Sequence, residues 1–268
     1  MRIVQLKSRE IDGKSLVKRS ALESDCEEVV SEPGIFVEDG NVVAIYGRFQ
    51  QRDEPMEWAI QSLHDPETTR TGGLKTRSKI FGFSPRVALR KDFCSATSMA
   101  TEYPKQHHVI CEFGRLLAGI YKECAPVVYE KHLEELKCVK SDWVIPGTPF
   151  TSGIVNKTNQ LKYHYDNGNF KNVMSCMAVF RKDCEGGLLA VPKYNVKFLL
   201  QDHSFFLFDG QSLLHGVTPI KQLTSKAYRY TAVYYALSQM KNCKSCLEEA
   251  RRIRSVKKER EHKRLKYE

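Results

Sequence analysis

The sequence has no apolar run long enough to cross a bilayer. Its longest stretch without a charged side chain, Trp143 to Asn156, is 14 residues and is interrupted by Pro146, Gly147 and Pro149, whereas a spanning helix needs about 18 or more apolar residues. A secretory leader is not expected either, because Met1-Arg2-Ile3-Val4-Gln5-Leu6-Lys7 sets charge inside any apolar stretch at that end. Internal repeats and low-complexity segments are absent. The nine cysteines are odd in number and lack the spacing of a disulfide framework, so reduced thiols in an intracellular compartment are expected. At 268 residues and 41% hydrophobic composition, the chain can bury a core without metal or disulfide staples.

Acid is missing where base is concentrated. The formal charge is +10, and from Lys241 to Glu268 there are 11 Lys or Arg against 5 Glu, which reads as a basic, solvated helix with interleaved acids. A second block, Arg70 to Lys91, holds Arg70, Lys75, Arg77, Lys79, Arg86, Arg90 and Lys91 with no acid, alongside Gly72, Gly73, Gly82, Phe81 and Phe83. Cations mixed with aromatics in a glycine-rich loop suit a phosphate backbone; the bland alternative is a solvated cationic surface.

Periodicity divides the rest. Residues 1 to 60 alternate short apolar runs with turn signals such as Ser31-Glu32-Pro33-Gly34 and Glu38-Asp39-Gly40, predicting short strands. From His107 to Lys137, Val109, Phe113, Leu116, Leu117 and Ile120 fall at helical spacing, and Pro126 opens a second helical stretch. From Phe150 to Leu237 strand patterns return at 152–155, 173–180, 187–191, 197–200, 205–208 and 228–237. Short strands this close together predict an α+β fold whose jelly-roll core is backed by helices. Residues 1–240 read as one domain (1–106 strands and basic loop, 107–140 supporting helices, 141–240 the β core), and 241–268 as a basic helical tail.

The chemistry concentrates in four places. His164 and Asp166 stand two apart, and on a strand such residues share a face. His215 follows a strand and turn, Phe205 to Gly210, that can bring it alongside; two imidazoles and one carboxylate form the facial triad of non-haem Fe(II). Gly186-Gly187-Leu188-Leu189 lies between the ligands. Arg229 and Thr231 share a strand face, where a guanidinium fork and a hydroxyl can grip a carboxylate. His203 is a competing histidine, read as a turn residue. Asn156, at the end of its strand, is a candidate turn cap. Cys243-x-x-Cys246 suggests zinc, which Cys138, Cys176 and Cys184 could complete in space, but zinc sites usually pair such a motif with a second and the sequence has none, so two reduced thiols are expected.

Phe150-Thr151-Ser152-Gly153-Ile154-Val155-Asn156, His164-Tyr165-Asp166 followed by Asn169, His215-Gly216-Val217-Thr218-Pro219 and Arg229-Tyr230-Thr231-Ala232-Val233-Tyr234-Tyr235 together resemble the 2-oxoglutarate/Fe(II) dioxygenases that oxidise 5-methylpyrimidines in DNA: the ten-eleven translocation enzymes, the J-base thymidine hydroxylases and phage relatives. The resemblance runs from about Pro149 to Glu249, with a looser echo in Arg70 to Phe83. It implies a double-stranded β-helix (jelly-roll, cupin-like). His164, Asp166 and His215 would hold Fe(II), and Arg229, helped by Thr231, would hold 2-oxoglutarate, which Asn156 either contacts or leaves to cap a turn. Oxygen is then co-substrate and ascorbate an in vitro activator. Asn169 matches a base-touching position, Tyr235 is expected to line the pocket, and Arg70, Lys75, Arg77 and Lys79 to contact double-stranded DNA. Leu237 stands where some members have a base-recognising histidine, and Thr231 where Ser is commoner. The expected reaction is hydroxylation of the 5-methyl group of 5-methylcytosine or thymine. A bacterial cytoplasm is the expected setting for a phage protein and a nucleus for a eukaryotic one, with no membrane role. Two rivals share these residues: hydroxylation of a protein side chain or small molecule, and a non-catalytic DNA-binding module on the same fold.

Overall fold

The computed structural model describes residues 1–63, 68–69, 75–85 and 93–267, with 68–69, 75–76 and 265–267 described as backbone only. A nine-stranded sheet carries the fold. Its strands lie in the order Ile3–Gln5, Gly34–Glu38, Asn41–Arg48, Ser204–Phe208, Ser175–Lys182, Tyr228–Tyr235, Ser152–Lys157, Ser78–Ser84 and Ser95–Ala96. Facing it is a four-stranded sheet of Gly216–Val217, Leu189–Val191, Val196–Phe198 and Glu28–Val30.

Alternation along the strands decides which layer each side chain joins. Met177, Val179, Phe206 and Phe208 of the large sheet pack on Leu189, Val191, Val196 and Phe198 of the small one. The residues between them, such as Ala178, Phe205, Leu207, Ala232 and Tyr234, turn to the other side and pack on helices through Ile110, Phe113, Leu117 and Tyr121. The result is a double-stranded β-helix with helices on one flank. Those helices, Pro104–Cys124 and Pro126–Leu136, each begin at a proline, which needs no amide partner there. Tyr234 ties the layers together, its hydroxyl donating to the Ile110 carbonyl at 2.6 Å.

Two sequence expectations need correction. The strand reading of residues 1 to 60 misses a helix, Glu54–Gln61, capped by Asp53, whose carboxylate accepts from the Met56 amide at 2.8 Å. Lys157, 6% exposed, donates to the carbonyls of Gln61, the helix's last residue, and of Leu63 just beyond it, where a cation opposes the end of the dipole. The expectation of a free Cys243 fails as well. Cys243 is bonded to Cys94, 149 residues away, with Cα atoms 5.8 Å apart, inside a cluster with Trp143, Val173 and Met240. Cys246 is a free, exposed thiol. Among the described residues no helix is long and apolar enough to cross a membrane.

Candidate metal centre and co-substrate pocket

The gap between the two sheets opens into a cavity of about 270 Å³ lined by His164, Asp166, His215, Arg229, Thr231 and Leu237, among others. His164 and His215 meet through a two-way backbone bridge, each amide donating to the other's carbonyl at 2.9 and 3.1 Å. Asp166 is placed by its amide, which donates to the Gly210 carbonyl at 2.8 Å. A Cβ at Gly210 would stand 2.1 Å from Asp166 Oδ2, so only glycine lets the carboxylate lie there.

The three side chains offer ligand atoms within 4.8 Å of one another. His164 Nε2 lies 3.5 Å and His215 Nε2 3.9 Å from Asp166 Oδ1. Each imidazole engages through Nδ1 the carbonyl two residues before it: Lys162 for His164 at 2.8 Å, Leu213 for His215 at 2.9 Å. A carbonyl only accepts, so both Nδ1 atoms carry the proton and both Nε2 lone pairs face the carboxylate, an orientation that metal-binding histidines use. Burial pulls the His215 pKa down to about 4 against the opposing pull of Asp166, which keeps that ring a neutral donor. The donor set fits one octahedral ion with positions left open.

Arg229 lies deeper in the same cavity and is 3% exposed. Its Nε and Nη2 have no hydrogen-bond partner among the described residues. Burial, and then the charge of Arg181 on the neighbouring strand, lower its pKa to about 10. Arg181 is itself engaged, donating to the carbonyls of Cys184 and Gly186 at 2.6 and 3.3 Å. A buried, unpaired guanidinium is costly unless an anion joins it. Gly187, at φ +66°, makes room for it, because a Cβ there would stand 2.7 Å from Arg229 Cδ.

Thr231 stands on the same strand and also faces the cavity. Its Oγ1 accepts from Asn156 Nδ2 at 3.3 Å, leaving the hydroxyl proton for a bound carboxylate. Asn156 is held in turn by Ser78 Oγ, which donates to Asn156 Oδ1 at 2.7 Å, and Asn159 Nδ2 reaches the same oxygen at 3.4 Å. Asn156 is therefore a wall residue on a strand and not a turn cap. Asn169 and Tyr235 line the cavity as well, Asn169 donating through Nδ2 to Ser175 Oγ at 3.2 Å and pairing its backbone with Leu237.

Other expected residues lie elsewhere. His203 is apart from the cavity, its ring between Glu57 and Asp202 at a φ of +51°, as a turn residue should be. Lys79 forms an ion pair with Glu102 at 2.9 Å and lies over the Tyr103 ring. Arg77 is exposed. Arg70 and the Lys75 side chain lie outside the described residues. Ser78, Asn159 and Gly210 had no sequence signal, since each acts through a partner brought in by the fold.

Two ring donors, a carboxylate and a buried guanidinium with two nitrogens unpartnered among the described residues, all in one β-helix mouth, define the class of 2-oxoglutarate/iron oxygenases. More particularly, residues 85–238 match the profile of the Tet_JBP family, described as the oxygenase domain of the 2OGFeDO superfamily, and the chain belongs to that family. It is similar to "Thymine dioxygenase JBP1" of Trypanosoma brucei brucei, 30% identical over 196 residues, which cover 72% of this chain and 22% of that protein. It is also similar to "Bifunctional helicase and thymine dioxygenase JBP2" of Trypanosoma cruzi, 27% identical over 221 residues, which cover 78% of this chain and 20% of that protein. The chain thus spans about a fifth of the length of these curated relatives. In fold it is similar to NgTET1, solved in complex with 5mC DNA, at a TM-score of 0.58 and 18% identity, covering 86% of this chain and 93% of that one.

Proposed function

We propose that this protein hydroxylates the 5-methyl group of a pyrimidine in double-stranded DNA, 5-methylcytosine or thymine, using Fe(II), 2-oxoglutarate and oxygen. The observation that carries the reading is Arg229, a buried guanidinium with two nitrogens unpartnered among the described residues, in the cavity that also holds His164, Asp166 and His215. A cation so placed is built for a carboxylate, and 2-oxoglutarate supplies one at each end. The family and the thymine dioxygenase activity of its relatives point to the same chemistry.

In this reading His164, Asp166 and His215 hold the iron, which when bound supplies the oxidising power that a protein side chain lacks. Arg229 and Thr231 take the distal carboxylate of 2-oxoglutarate, with Asn156 fixing the Thr231 hydroxyl. Leu189, Met177, Phe208 and Val217 give the cavity its apolar walls and keep bulk water from the reacting methyl group. In a duplex the methyl group lies in the major groove, out of reach of a β-helix mouth, so the nucleotide must be flipped. Asn169 and Tyr235 are then placed to meet the flipped base. Arg70, Lys75 and Arg77 are the proposed phosphate contacts; Lys79, paired with Glu102, is the weakest of the four.

The test is to incubate duplex DNA carrying 5-methylcytosine with the protein, Fe(II), 2-oxoglutarate and ascorbate, digest it, and weigh the nucleosides. Gain of one oxygen on 5-methylcytosine or on thymidine supports the proposal and names the base. Succinate release without a change in either nucleoside would move the substrate to a protein or small molecule, and no succinate would favour a non-catalytic module.

A further inference from the structure

The C-terminal helix Cys246–Tyr267 has a firm root and an unusual shaft. Ser245 and Glu248 cap its start reciprocally, the Ser245 amide donating to Glu248 Oε2 at 2.9 Å and the Glu248 amide to Ser245 Oγ at 3.4 Å. Glu249, 1% exposed, accepts from the Lys244 amide at 2.9 Å and the Cys94 amide at 3.2 Å. The Cys94–Cys243 bond and Trp143, whose indole donates to the Lys244 carbonyl at 2.6 Å, fix the same point. The helix therefore leaves the body in a set direction.

Beyond the root the character changes. From Arg251 to Arg264, eight of fourteen residues are Lys or Arg and two are Glu, and all eight cations are exposed. At 100° per residue they fall on every side of the axis, and Arg251, Arg254 and Lys258 share one face. A helix without an apolar stripe gains little from packing on its own protein, and cations spaced three and four apart repel one another. Polyanionic phosphate relieves that repulsion.

Its position matters as much as its charge. Leu237, which lines the cavity, packs in the same cluster as Cys94, Trp143 and Cys243 at the helix root. The strand Ser95–Ala96 on the other side of that root pairs with Phe83 and Ser84 at the end of the strand inside the basic block. The root thus sits between the cavity and the strand Ser78–Ser84. A helix of 22 residues reaches about 33 Å, close to one turn of duplex DNA.

We infer that the C-terminal helix is a phosphate-tracking arm that lies along duplex DNA beside the flipped nucleotide. The inference rests on DNA being the substrate, and it adds a contact surface of its own: the arm holds the flanking duplex while the cavity takes the base. Its phosphate contacts help to offset the few kcal/mol that unpairing costs.

The test uses the full chain with Arg251, Arg254 and Lys258 changed to Gln, and a second variant with all eight cations changed to Gln. Gln keeps helix propensity, and a thermal midpoint equal to that of the parent verifies folding. Affinity for an unmethylated duplex is measured against salt, without iron. Each phosphate contact contributes about 0.9 to the slope of log K against log salt. The triple variant is expected to flatten the slope by about 2 to 3 and weaken binding at least tenfold near 0.1 M salt, and the eightfold variant to flatten it further. An unchanged slope in the eightfold variant overturns the inference. So does a greater loss on single-stranded RNA or on phosphatidylserine vesicles than on duplex DNA. Because the assay needs no turnover, a full-length chain that oxidises no base would refute the oxygenase reading and leave a changed slope standing.

Discussion

Replacing Arg229 with Met separates a binding arginine from a structural one. A structural arginine is paired, and its loss destabilises the fold. Arg229 is 3% exposed, and its Nε and Nη2 lack partners among the described residues. Burial lowers its pKa to about 10, and at about 1.4 kcal/mol per pKa unit that drop counts on the order of 3 kcal/mol against the charged form. Met fills similar space without charge, so the variant without ligand should be more stable than the parent by about 1 to 3 kcal/mol, a rise of several degrees in melting temperature. Differential scanning calorimetry, with Mn(II) in place of Fe(II) to block turnover, reads both halves. The parent should be stabilised by 2-oxoglutarate as RT ln(1 + [L]/Kd) requires, and Arg229→Met should not. A variant less stable than the parent that still gains from 2-oxoglutarate would refute the reasoning.

Gly210→Ala places a methyl group 2.1 Å from Asp166 Oδ2 and should weaken Mn(II) binding roughly 10- to 100-fold, although Gly210 is no ligand; equilibrium dialysis checks it. His132 is 0% exposed with neither ring nitrogen partnered among the described residues, and burial pulls its pKa down to about 3. The unfolded chain therefore protonates first, near pH 6.5, so this residue subtracts no stability above that pH. Below it, stability falls by about 1.4 kcal/mol per unit until the folded value is reached. His132→Phe should flatten that acid limb in urea titrations between pH 7 and 4. The Cys94–Cys243 bond closes a loop of 149 residues' separation, and its reduction should lower stability by up to about 5 kcal/mol, seen as an earlier urea midpoint in dithiothreitol.

What could be read from sequence was whatever depends on spacing within one element. Arg229, Thr231, Val233 and Tyr235 line one cavity because they alternate along the strand Tyr228–Tyr235, whereas His164 and Asp166 line it from a segment that is no strand and is held by a single bridge from His164 to His215. The six expected strands from Phe150 to Leu237 are present, their ends shifted by up to two residues, because turns and not apolar runs decide where pairing stops. What escaped was contact across long separations. Ser78 reaches Asn156 only because their strands pair, Gly210 matters only once Asp166 lies against it, and Cys94 meets Cys243 only after the cluster around Trp143 has formed. The helix Glu54–Gln61 escaped for a different cause: at eight residues it is too short for a clear period, and its stability comes from Met56 and Ile60 packing in the core.

The most direct measurement is a calorimetric titration of Mn(II), then of 2-oxoglutarate, into the parent protein and into Asp166→Ala. The expected result is one ion per chain in the parent, no ion at that affinity in Asp166→Ala, and tight 2-oxoglutarate binding only after the ion is bound. Equal Mn(II) binding by the two proteins, or 2-oxoglutarate binding that ignores the ion, would contradict a single centre built from His164, Asp166 and His215 above Arg229.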